Sequence, residues 1–292
     1  MTAYSIKDIE HLSGIKAHTL RIWEKRYGII EPKRTETNIR YYDDNDLKKI
    51  LNISVLNRHG LKISNIAGLK DSQLTEKILE LTMGDPDFSD HIESLIISMI
   101  DYDKPKFDKL FNKSILTHGL EASIKKVIIP FFQKIGVLWQ TGNISPTQEH
   151  FISNLVRQKI IAAIEDLPLY INKHSKTIVF FLPNNEWHEL SLLFYSYLAL
   201  KRGHNTIYLG SSVPTEGLLQ LGTKTKFDYL VTSISTNLNF DQSIDIINQL
   251  ALKYKKQNII VLGSEPVRKQ YSPKNNNITI TTDPEDFQKI IG

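Results

Sequence analysis

The 292 residues contain no cysteine. That excludes disulfides, thiolate metal sites and cysteine nucleophiles together. No stretch approaches the roughly 18 consecutive apolar residues of a membrane span. The opening MTAYSIKDIEHLSG has no apolar core behind a basic start, so it does not read as a signal peptide. The expectation is a cytoplasmic protein with no membrane partner. A G-x-x-x-x-G-K phosphate loop is missing, and the GSS at 210–212 lacks a dinucleotide fingerprint. No Ser-His-Asp ordering stands out, so nothing here reads as an enzyme. A net surplus of positive charge is missing outside one region. Residues 1–75 hold 13 Lys+Arg against 9 Asp+Glu, whereas the rest is balanced at 23 of each. The whole surplus of +4 therefore sits at the N-terminal end. This is the electrostatic footprint of a nucleic-acid-binding module followed by something neutral.

Three textures divide the chain. Residues 1–75 are short helical patterns broken by Gly14, Gly28, Pro32 and Gly60. Residues 76–170 read as helices only, with apolar positions recurring every three to four residues, including a long run from Phe107 to Trp139. From residue 177 the period changes. TIVFFLP, NTIYLG, YLVTSIS, NIIVLGS and ITITT are β-rich apolar runs, most of them separated by helical patterns. Continuous apolar strands alternating with helices predict a parallel sheet covered on both faces. Five strands in residues 177–292 fit a flavodoxin-like doubly wound domain. The predicted fold class is thus multi-domain α and α/β, with residues 170–176 as a linker.

In the first region Tyr4–Leu12 predicts a helix, Gly14 a turn, and Ala17 to Arg26 a second helix, which is the pattern of a helix-turn-helix. The second helix carries His18, Thr19, Arg21, Lys25 and Arg26, followed by Tyr27. Such a helix can enter a major groove. Two strand-like pieces flank Thr37-Asn38 and predict a basic wing that presents Lys33, Arg34, Arg40 and Tyr41 to phosphates. The run HTLRIWEKRYGIIEPKRTETNIRYYDDNDL resembles the MerR family of winged-helix transcription regulators, which has T-L-R-x-W/Y-E, R-Y-G, P-x-R-T, R-x-Y and D-L in this order. Asn38 stands where that family has glycine. The resemblance implies a double-stranded DNA operator as partner and a homo-oligomer, dimer or tetramer. The usual family member continues into a dimerising coiled coil; this chain has no sustained heptads there.

The loop after the first long strand, FLPNNEWHELS, places Glu186, Trp187, His188 and Glu189 at the carboxyl end of the sheet, where ligands of doubly wound folds bind. A neutral imidazole there can ligate a metal, held in its tautomer by an adjacent carboxylate. Alone, His188 reads as a surface-loop histidine. The neighbouring strand ends add Ser233, Ser235, Gly263 and Ser264, a crevice of small and hydroxyl residues beside it. These stretches are similar to the cobalamin-binding domain of methionine synthases and corrinoid mutases, with D-x-H-x-x-G, S-x-L and G-G at matching intervals. The resemblance implies that His188 is the lower axial ligand to cobalt and that the nucleotide tail runs along the serines. Ser191, Ser235 and Ser264 replace a glycine, a leucine and a glycine of that pattern, and each changes the volume near the tail.

In the middle region Trp139 and Glu149-His150 spell W-x9-E-H. This resembles the cobalamin-dependent light-sensing repressors within the MerR family. There a four-helix bundle covers the upper corrin face, with the tryptophan against the upper ligand. Trp139 as plain bundle core is the alternative. Those repressors commonly follow the tryptophan with histidine; here Gln140 stands there, and an amide is a poor ligand for cobalt(III). Taken together, the resemblances imply a repressor whose oligomerisation and operator binding follow cobalamin, in its adenosyl form. Two alternatives stay open: a regulator whose last domain has lost the cofactor, and a corrinoid-carrying methyltransferase subunit.

Overall fold

A computed structural model describes residues 4–70, 73, 74, 77, 88–140, 145–168, 174–234, 240–263, 271–273 and 275–292, except the side chains of residues 137–140. The chain divides into two compact units, Met1–Leu155 and Val156–Gly292.

The first unit opens with α1 (Ile6–Ser13) and α2 (Ala17–Tyr27). Ser5 and Asp8 form a capping box that starts α1 two residues later than the apolar pattern alone predicts. Tyr4 stays outside the helix and exchanges both backbone hydrogen bonds with Tyr42. Gly14 ends α1 at φ +73°, a conformation that costs other residues more. Strands β1 (Lys33–Arg34) and β2 (Arg40–Tyr41) pair antiparallel as a short hairpin. α3 (Asp44–Arg58), capped by Asp43, and the short α4 (Ile63–Ile66) follow.

The predicted helical middle contains α5 (Phe88–Ile100), α6 (Lys104–Ser123), α7 (Ile129–Gln140) and α8 (Pro146–Glu165), and the unit boundary falls inside α8. The run from Phe107 to Trp139 is not one rod. Gly119 takes φ +79° inside α6, and Ile124–Ile128 forms a π turn before α7. Within the first unit α3 packs on α5, and α1 on α7. A buried ionic cluster fastens the first of these contacts. Arg58 donates to Glu93 at 2.7 Å and to Asp90 at 2.8 Å, and His59 Nε2 lies 2.6 Å from the other Asp90 oxygen. Both acids are 1% exposed. Burial pushes the Glu93 carboxyl above the usual carboxylate range, against the opposing pull of Arg58.

The second unit holds β3 (Thr177–Pro183), α9 (Leu190–Lys201), β4 (Asn205–Val213), α10 (Thr215–Gln220), β5 (Tyr229–Ile234), α11 (Phe240–Lys253), β6 (Asn258–Gly263), β7 (Ile278–Thr281) and α12 (Pro284–Ile291). The five strands form one parallel sheet in the order β4-β3-β5-β6-β7, the predicted doubly wound topology. Val179, Phe181, Leu230, Ile259 and Val261 are buried, as continuous apolar strands require. The order reverses between β3 and β5, so the ligand crevice of such a sheet opens at their carboxyl ends.

Candidate functional site

Two candidate surfaces follow from the sequence, one in each unit. In the first, α2 has two faces. Leu20, Trp23, Glu24 and Tyr27 recur at i, i+3, i+4 and i+7 and turn inward, buried or half-buried. His18, Arg21, Ile22 and Lys25 recur in the same way on the outer stripe and are exposed, as is Arg26. Thr19 is half-buried, 3.3 Å from the His18 ring. Tyr42 donates a hydrogen bond to Glu24, and Arg40 Nε lies 3.6 Å from the other Glu24 oxygen, so the inner face of α2 is tied to the hairpin. At the tip Asn38 takes φ +63°, and Arg34 donates to its side-chain oxygen at 2.8 Å. Lys33 pairs with Asp43 at 2.6 Å. Arg34 is exposed, Tyr41 half-buried and Arg40 turned toward Glu24. Ile22 was not among the residues expected from sequence; the signal was an apolar side chain inside a basic stripe.

In the second unit the loop after β3 is braced on the end of β4. Asn185 donates its backbone N–H to Ser212 Oγ at 3.1 Å, and Ser212 N–H donates to the Glu186 carbonyl at 3.0 Å. Glu186 is buried. Its Oε1 accepts the N–H groups of Trp187 and His188, each at 2.9 Å, and lies 2.7 Å from His188 Nδ1. A carboxylate accepts at this distance, so Nδ1 is the donor, and in the neutral ring the lone pair then falls on Nε2. The imidazole side chain is 63% exposed while its orienting carboxylate is 5% exposed. Metal-ligating histidines commonly have such a carboxylate partner on the other ring nitrogen. Trp187 is also exposed. Glu189 serves other partners: Arg157 Nε donates to it at 2.5 Å and Tyr208 at 3.0 Å. Burial and then the Glu189 charge raise the Tyr208 hydroxyl pKa.

Across the crevice Ser233 is buried at the end of β5, and its Oγ lies 3.0 Å from Ser191 Oγ at the start of α9. This hydrogen bond spans the place where the strand order reverses. Gly263 ends β6 opposite Ile234. Ser235 and Ser264 lie outside the described residues. Trp139 and Gln140 end α7, but their side chains lie outside the described residues too. Glu149 is half-buried and His150 exposed on the first turn of α8, with His150 Nδ1 4.0 Å from Glu149.

Residues 4–73 match the family description "MerR HTH family regulatory protein", and residues 91–163 match "B12 binding domain". The chain carries a MerR HTH region followed by a B12-binding domain. The first match spans α1 to α4 and the hairpin; the second spans most of α5 through α8. Two named proteins are similar over most of the chain. The HTH-type transcriptional repressor CarH of Myxococcus xanthus is 26% identical over 254 residues, 85% of this chain and 84% of that protein. The HTH-type transcriptional repressor CarA of the same organism is 24% identical over 217 residues, 73% and 70% of the two. Among solved structures, the monomethylamine corrinoid protein of Methanosarcina barkeri superposes with a TM-score of 0.54 at 13% identity, covering 66% of this chain and 92% of that one. The likeness is one of fold. No described helix is long and apolar enough to cross a membrane.

Proposed function

We propose that the chain is a cytoplasmic transcription repressor that binds DNA through its MerR HTH region and is controlled by a corrinoid. The carrying observation is the joining, on one chain, of a MerR HTH region, a B12-binding match and a histidine oriented by a buried glutamate. The named relatives are repressors rather than enzymes, which favours this reading over a methyltransferase subunit.

The described residues fit the cobalt end of the group. His188 would supply Nε2 as a ligand to cobalt, and Glu186 would fix the ring's tautomer and direction. The lower end of the crevice is narrower than the glycine-bearing pattern implies, because Ser191 and Ser233 hydrogen-bond across it. A nucleotide tail entering there must displace that bond. Trp139, Glu149, His150 and Trp187 are the further residues proposed to bind the group. When bound as adenosylcobalamin, the group supplies a cobalt–carbon bond that light can break. The chain responds through its own residues. A bound corrinoid would shift the population toward an oligomer that presents several HTH regions to one operator. Arg21, Lys25, Arg26 and Arg34 then meet phosphates and base edges, with His18, Thr19, Tyr27, Lys33, Arg40 and Tyr41 at the margins of the same surface.

The test is a gel shift on a duplex selected by the full chain from a random-sequence library, run in the dark with adenosylcobalamin, after illumination, and without cofactor. The proposal expects tightest binding in the dark with cofactor, together with a change in oligomer size by light scattering. Identical binding and identical size in all three conditions would leave a DNA binder without corrinoid control.

A further inference from the structure

Ile22 sits in the middle of the outer stripe of α2, 53% exposed. His18, Arg21 and Lys25 surround it at helical spacing, and Arg26 is adjacent in the chain's next turn. The acid of the helix, Glu24, turns inward to Tyr42 and Arg40. The stripe is therefore cationic around an isolated apolar side chain. Local structure gives no reason for isoleucine here. A β-branched residue is a poorer helix former than the Lys, Arg or Ala an exposed position usually carries, and its apolar surface is left in water.

A cationic stripe calls for a polyanion, and duplex DNA offers one apolar group in its major groove, the C5-methyl of thymine. Cytosine lacks this methyl. Isoleucine has no donor or acceptor, so it contributes nothing to phosphate or base-edge hydrogen bonds. We infer that Ile22 is a specificity residue that reads a thymine methyl in the operator half-site, while its cationic neighbours position the helix. The inference rests on the DNA-binding reading of residues 4–73 and adds to it the identity of one base. Ile39, exposed in the hairpin rather than on α2, supplies the matched control.

The probe is the duplex selected by the full chain from a random-sequence library. Each thymine in turn is replaced by deoxyuridine, which keeps the base-pairing and O4 acceptor and lacks only the methyl. One thymine per half-site is expected to show an affinity loss of about fourfold, the worth of burying one methyl group. Ile22→Ala is expected to lose about the same on the thymine duplex and nothing further on the deoxyuridine duplex. Ile39→Ala keeps the full thymine–deoxyuridine difference. The wild-type comparison needs no variant to fold; unchanged ellipticity and thermal midpoint check the variants. The inference fails if no thymine-to-deoxyuridine change weakens the wild type, or if Ile22→Ala keeps the full difference. A selection that enriches no duplex overturns the DNA-binding reading itself, a separate outcome. If Ile22→Ala changes self-association and leaves the thymine difference intact, the residue is a contact between copies and the inference is wrong.

Discussion

Arg58 holds two carboxylates that have almost no access to water, and replacing it with alanine removes the charge that both face. Breaking a buried pair by deleting one partner costs about 3–5 kcal/mol. The Arg58 side chain is 37% exposed, so solvent screens part of its field, and a loss of about 2–3 kcal/mol is the discounted expectation. Glu93 keeps a buried oxygen with no hydrogen bond among the described residues even in the native protein, which adds to the cost of leaving it charged. The loss falls on α3 and α5, the helices joined by the cluster. Hydrogen exchange read by mass spectrometry on the full chain reports it locally, as about 30- to 150-fold faster exchange of their slow amides. It also depends on pH in a defined direction. The folded Glu93 carboxyl binds its proton more readily than an unfolded one, so it favours folding below the ordinary carboxylate pKa, and that contribution is lost as pH rises through the raised folded value. Removing Arg58 raises it further, so the deficit of the variant shrinks between neutral pH and about 4.5. Exchange within twofold of wild type, or a deficit flat across that range, would refute the assignment of this cluster as the clasp between α3 and α5.

Other outcomes follow from single contacts. Ser191→Gly removes the hydrogen bond that spans the crevice and should raise cobalamin affinity about two- to tenfold by calorimetry; weaker binding would mean the serine holds the ligand. Glu186→Gln keeps the size and loses the acceptor charge, and should weaken corrinoid binding about 10- to 100-fold through the His188 ring alone, with folding intact by circular dichroism. Arg26→Ala should lower affinity evenly across duplex sequences and flatten the salt slope by about one; a sequence-selective loss would make Arg26 a base reader. Tyr42→Phe strips a hydrogen bond from Glu24 and should cost about 1–3 kcal/mol in chemical denaturation, because Glu24 is left largely buried.

The parallel sheet was legible because the apolar period changes at residue 177 and five unbroken apolar runs alternate with helices. The hairpin was legible from Thr37-Asn38, and Asn38 does adopt the left-handed turn. The carboxylate beside His188 was expected, but not which one. Glu186 and Glu189 flank the imidazole in sequence, and backbone hydrogen bonds at the loop decide for Glu186. The bend at Gly119 was hidden because the apolar period survives on both sides of it. The cluster of Arg58 with Asp90 and Glu93 was hidden too, since it joins residues more than thirty apart. Its one local trace is a pair of acids, three residues apart, inside the apolar FSDHIESLIISMI. The serine bridge joins the start of α9 to the end of β5, which side-chain volume alone did not foretell.

Whether a corrinoid is held, and by which imidazole, is settled most directly by one absorbance measurement. The full chain and its His188→Ala variant are mixed with adenosylcobalamin in the dark and desalted. The account predicts that wild type keeps corrin absorbance close to one per chain, with the spectrum of a histidine-ligated cobalt, and that the variant keeps little or loses that signature. A colourless wild type, or a variant with the same spectrum and the same retention, would contradict it.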